Sequence, residues 1–149
     1  METGKNKFEE YDYKQIAILG KSFLDAAKIC DKPKIEEVGW SHNLIVPIIT
    51  NMSFACELFL KAILKHDDIQ QKKIHKLDCL FNELGNDRKR EIVGSEKEDE
   101  FMIKLTNISN LFEEWRYVYE RYPSSVEYNF LCDLSDRLLS VIEAFERSK

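Results

Sequence analysis

Apolar residues recur along this chain at steps of three and four, and that rhythm divides it into helices. Over residues 9–30, Ile16, Leu19, Phe23, Ala26, Ala27 and Cys30 fall on one face, which predicts a first helix. Asp31, Lys32 and Pro33 end it, because proline has no amide proton and drives the residue before it out of the helical region. A short linker then runs to Trp40.

The strongest pattern lies over residues 44–65. Ser41 is placed to cap this helix, and Ile45, Ile48, Ile49, Met52, Cys56, Phe59 and Ile63 form a continuous stripe. Phe54, Leu58, Leu60 and Leu64 lie off that stripe, so the helix is apolar nearly all the way round. Such a helix belongs in the middle of a bundle or at a dimer interface. Pro47 must sit in its first turns or kink it.

A polar link over residues 65–73 leads to Ile74, Leu77, Leu80, Phe81 and Leu84, a short helix that Gly85 is suited to close in a left-handed C-cap. Residues 86–99 are charged and contain Gly94 and Ser95, which predicts a surface loop with at most a helical turn near residues 89–93. Phe101, Leu105, Ile108, Phe112, Trp115, Tyr119 and Tyr122 then alternate steps of four and three, the heptad of a long helix that Pro123 stops. Ser124 or Ser125 caps a last helix carrying Phe130 or Leu131, Leu134, Leu138, Val141, Ile142 and Phe145 on one side.

These elements predict an all-α, up-and-down bundle of four main helices with one short helix inserted, in a single domain over residues 1–149 whose first eight residues are flexible. The aromatic surplus of the late long helix, added to the all-round apolarity of the second, predicts a homodimer. Composition supports helices: only 5 glycines and 3 prolines in 149 residues leave too few turns for an all-β fold. A net charge of -5 argues against gripping duplex nucleic acid through an overall positive field, while a local basic patch stays open. No signal-peptide pattern and no uninterrupted apolar run of about 18 residues is present, so a cytoplasmic protein with no membrane contact is expected. Cys30, Cys56, Cys79 and Cys132 form no CxxC pair and read as buried reduced thiols.

Known chemical signatures are scarce. The glycines make neither a phosphate loop nor a dinucleotide fingerprint, and His42, His66 and His75 lack HxxxH spacing, so neither a cofactor nor a metal site is expected. Two polar constellations remain. Glu57 and Lys61, with Lys65 one turn further, form a polar strip on the second helix that reads either as a solvated ion-pair ladder or as part of a site. Glu113, Arg116, Tyr117 and Glu120 share the face opposite Phe112, Trp115 and Tyr119. A guanidinium beside a tyrosine, held by carboxylates, suits phosphate binding or base stacking, and serves equally as an interhelical polar lock.

The stretch Glu57-Leu-Phe-Leu-Lys61-Ala-Ile-Leu64 resembles the Glu-Leu-x-x-Lys-Ala-x-Leu helix of HEPN-type domains, a helical nucleotide- and RNA-associated family of prokaryotic defence and toxin-antitoxin systems. His75-Lys-Leu77-Asp-Cys-Leu80 is similar to that family's following His-x-Leu-x-x-Leu segment, and Trp115-Arg116-Tyr117-x-x-Glu120 is the third stretch of likeness. The resemblance implies a dimer whose late long helices meet in a shared cleft, and a nucleotidyltransferase-type antitoxin as a possible partner. In nuclease members that helix supplies an Arg-x4-6-His motif. Here every arginine follows position 87 and every histidine precedes position 76, and Tyr122 stands where a histidine is expected six residues after Arg116.

The leading expectation is therefore a non-catalytic HEPN-like dimer binding nucleotide, RNA or a protein partner through Glu57, Lys61, Glu113, Arg116, Tyr117 and Glu120. The alternatives are a divergent metal-independent ribonuclease toxin using Arg116, Tyr122 and His75, and a purely structural interaction module.

Overall fold

A computed structural model of the chain describes residues 11–31, 42–70, 73–113 and 125–147. The described residues are all-α: α1 (Tyr13–Asp31), α2 (His42–His66), α3 (Leu77–Asn82), α4 (Asn86–Val93), α5 (Glu98–Glu113) and α6 (Ser125–Arg147). The expected linker to Trp40, the expected caps at Ser41 and Ser124, the expected stop at Pro123, the expectation for residues 1–8 and that of a helix continuing past residue 113 all fall outside the described residues.

The first helix begins where Asp12 and Gln15 close a reciprocal capping box: Gln15 N–H donates to Asp12 Oδ1 and Asp12 N–H to Gln15 Oε1, both at 2.9 Å. α1 and α2 then run antiparallel. The ring of Tyr13 meets His66 (4.9 Å between centroids), Gly20 lies against Phe59, and Phe23 meets Phe54 at 5.6 Å. Glycine is required at position 20, since a Cβ there would come within 2.8 Å of the Phe59 ring and 3.2 Å of Leu58 Cβ. The buried face of α1 is Ile16, Ala17, Gly20, Leu24 and Ala27, rotated from the predicted stripe so that Leu19 is 49% exposed. Small residues bring the helix close to α2, and the larger Leu19 and Phe23 fall to the flank.

All of residues 55–64 on α2 are buried. α1, α3 and α6 pack around it, which explains its all-round apolarity within one chain. It is the one helix among the described residues long and apolar enough to cross a membrane, and its apolar window is 72% buried inside the bundle. Pro47 sits in its second turn.

Past α2 the chain leaves in a Schellman turn: Asp68 N–H donates to Lys65 O (3.2 Å) and Ile69 N–H to Leu64 O (2.9 Å). Asp68 holds the left-handed conformation, φ 57°, that glycine usually supplies here. The short insertion is two helices rather than one. Gly85 is extended (φ -66°) and forms the N-cap of α4 instead of a left-handed C-cap to α3. The region predicted as a surface loop folds as α4 because Ile92 and Val93 are buried and the carbonyls of both accept hydrogen bonds from Arg137 at 3.2 Å. Gly94, at φ 64°, ends it.

The fifth helix starts with Glu98, Asp99 and Glu100, acidic residues that suit the positive end of the helix dipole. Phe101 joins it to Phe81 of α3 (5.2 Å) and Phe130 of α6 (5.4 Å). α6 lies antiparallel to α1, tied at one end by Tyr13 Oη donating to Glu146 (3.1 Å) and at the other by Tyr128 Oη donating to Asp31 (3.4 Å). Of the cysteines only Cys56 is buried; Cys30, Cys79 and Cys132 are half-buried, and all four are free thiols. Burial pushes the Cys56 thiol up, far from its reactive form.

Candidate functional site

Glu57 and Lys61 stand one turn apart on α2, and the segment entering α3 lays His75 over them. Lys61 Nζ lies 3.7 Å from Glu57 Oε2, His75 Nδ1 lies 3.5 Å from Glu57 Oε1, and Lys61 Nζ and His75 Nδ1 are 3.2 Å apart. The two α2 side chains are 9% and 6% exposed, whereas the imidazole is 72% exposed. The strip is thus no solvated ladder. It is a buried ion pair with a histidine at its mouth, while Lys65, one turn on, is only half-buried.

Burial raises the Glu57 carboxyl above its ordinary value, and the attraction of Lys61 and then of His75 only partly offsets it. The distances explain why: contacts of 3.5 and 3.7 Å are ionic neighbours, too long for short charge-assisted hydrogen bonds. The imidazole has two ways to fit. When neutral, Nδ1 can accept from the Lys61 ammonium; when protonated, Nδ1–H can donate to Glu57. Either arrangement leaves Nε2 outside the triad.

A third buried polar group continues the strip. Ser53, one turn before Glu57, is 1% exposed, and its hydroxyl has no hydrogen-bond partner among the described residues. Its spacing of four from Glu57 is visible in the sequence, but a serine among so many apolar residues reads as ordinary helix content.

A second charged cluster sits at the end of α2. Arg88 of α4 clasps Asp67 with two short bonds, Nε to Oδ2 at 2.9 Å and an Nη to Oδ1 at 2.8 Å, and reaches Glu91 at 2.6 Å. His66 Nδ1 lies 2.9 Å from the same Asp67 oxygen, and its ring stacks on Phe145 at 3.5 Å. Burial works against the Asp67 charge, but the hydrogen bonds from Arg88 and His66 outweigh it and hold the carboxyl below its ordinary value. Nothing in the sequence pairs positions 67 and 88, so this cluster was not foreseeable there.

The structure therefore brings together Glu57, Lys61 and His75 of the predicted residues. Arg116, Tyr117, Glu120 and Tyr122 lie outside the described residues, and Glu113 is described only as the last backbone position of α5. No group of three or more histidine, cysteine, aspartate and glutamate side chains converges as a metal site among the described residues. No family model, no curated protein and no solved structure matches the chain.

Proposed function

We propose that the chain is a HEPN-like, non-catalytic, dimeric module of the cytoplasm that binds a nucleotide or RNA, with a defence or toxin-antitoxin role beside a nucleotidyltransferase-type partner. The observation that carries this reading is the Glu57–Lys61–His75 cluster: a carboxylate and an ammonium kept buried under an exposed imidazole. Burying an ion pair with loose geometry is unfavourable compared with apolar packing, and groups whose ionisation is displaced by burial cluster at functional sites. These three residues belong to two of the three stretches that resemble the family, the third being Trp115-Arg116-Tyr117-x-x-Glu120. In this reading Lys61 and Arg116 meet phosphate charge, Tyr117 stacks on a base, and Glu57, Glu113 and Glu120 orient the two cations.

Thermal shift of the purified chain against nucleoside phosphates and short RNAs tests it. A stabilisation that disappears in Arg116→Ala and in Lys61→Met is expected, because a ligand stabilises the state it binds. Silence across the panel would leave the chain a structural module. RNA cleavage lost on Arg116→Ala would overturn the non-catalytic reading.

One observation favours a second reading, a divergent metal-independent ribonuclease with Arg116, Tyr122 and His75. A carboxylate 3.5 Å from Nδ1 of an exposed histidine is the arrangement that orients an imidazole for acid–base work through Nε2. Cleavage abolished in His75→Ala would support it, and unchanged cleavage or toxicity would end it.

A further inference from the structure

We propose that a second copy of this chain docks face to face on the groove between α1 and α6, with the two-fold axis running along the groove. The inference rests on the dimeric reading above but places the contact on α1 and α6, not on the late long helices that the resemblance implies. The groove, about 230 Å³ in volume, has an apolar floor of Ala17, Leu139 and Ile142. Ile18 stands on its α1 wall, 68% exposed. Three turns further along the same side of α1 is Ile29, 64% exposed. Exposed Ser22 and Asp25 separate the two isoleucines on that side, and Ile18 is the one that lines the groove.

Charge selects the occupant. The α1 wall carries Lys14 and Lys21, and the α6 wall carries Glu143 and Glu146. A two-fold axis along the groove exchanges the walls, so each copy lays its basic α1 over the acidic α6 of the other, and every contact is made twice. Because α1 and α6 are antiparallel and level at Tyr13 and Glu146, the operation sets Lys14 of one copy at the height of Glu146 of the other. Ile18, one turn further on, then meets the partner groove at the level of Ile142 and Leu139. Lys14 and Glu146 already face each other within one chain at 3.8 Å, a long, half-exposed pairing that is cheaply exchanged for one between copies. None of Glu57, Lys61 and His75 lines the groove, so both copies of the cluster remain open.

Sedimentation of the full chain tests the proposal, with far-UV circular dichroism of each variant to separate loss of docking from loss of helix. The parent is expected to be a dimer, and Ile18→Glu to raise the dimer dissociation constant by roughly ten-fold or more. Lys21→Glu is expected to weaken the dimer and Lys21→Glu combined with Glu143→Lys to restore it, since the swap preserves the charge pairing between walls. A monomeric parent would overturn the proposal together with the dimeric reading. A dimeric parent that Ile18→Glu leaves unchanged, or a swap that fails to restore, would overturn this groove alone.

Discussion

Glu57 and Asp67 stand ten residues apart, one in the middle of α2 and one just past its end, and the fold shifts their carboxyls in opposite directions. Each has one cationic side chain and one histidine beside it. Glu57 meets Lys61 and His75 at 3.7 and 3.5 Å, whereas Asp67 meets Arg88 and His66 at 2.8 to 2.9 Å. The difference lies in geometry. A guanidinium matches both oxygens of a carboxylate at once, while an ammonium one turn along the same helix is held at the distance the backbone dictates. Asp67 is consequently a fastener between α2 and α4. Glu57 is a buried charge that its neighbours compensate only in part.

Breaking the fastener should have the largest effect. Arg88→Ala removes three short charge-assisted bonds and the guanidinium packed 4.8 Å from the Phe145 ring, and is expected to cost about 3 kcal/mol in denaturant unfolding at pH 7. Neutralising the two carboxylates comes next and should separate them by sign. Asp67→Asn is expected to lose about 1.5 kcal/mol, whereas Glu57→Gln should leave stability unchanged or raise it by up to about 1 kcal/mol, by the same measurement. An equal loss in both would erase the distinction.

Acid and base should expose the same contrast. The Glu57 carboxyl is raised in the fold, so its contribution is fully present below the unfolded value of 4.5 and is lost as pH rises through the folded pKa. The advantage of Glu57→Gln over the parent should therefore grow as pH climbs from 4.5 toward neutrality. The Asp67 carboxyl is lowered, so its contribution is present above the unfolded value of 3.8 and is lost as pH falls through the folded pKa. The penalty of Asp67→Asn should accordingly shrink only in acid below 3.8. Thermal unfolding of both variants and the parent across pH reads the two windows. The smallest effect is expected at Asp68, next to the clasp and in a left-handed conformation: Asp68→Gly should gain about 0.5–1 kcal/mol by relieving φ 57°.

How much of this was legible in the sequence follows from the range of the interactions. α2 was legible because apolar spacing is local, and Glu57 and Lys61 were because one helical turn fixes their proximity. His75 reached the site through family resemblance, since nothing local aims a loop histidine at a helix fourteen residues back. The Asp12–Gln15 capping box is a local signal that starts α1 at Tyr13, later than the apolar pattern over residues 9–30 predicts. α4 is not legible in the sequence for a different reason. Its eight residues are mostly charged, and what makes them helical is tertiary: Arg137, more than forty residues on, binds the carbonyls at its end. The Asp67–Arg88 clasp was invisible on the same grounds, and the orphan hydroxyl of Ser53 becomes meaningful only once burial is known.

Site-resolved titration of the side-chain carboxyl carbons by 13C NMR tests the contrast most directly. Glu57 should titrate above 4.5 and Asp67 below 3.8, and Lys61→Met should move Glu57 further up while leaving Asp67 in place. A Glu57 that titrates at or below 4.5 would contradict the account, for the pair with Lys61 would then be an ordinary stabilising bridge and the strongest sign of a site would be gone.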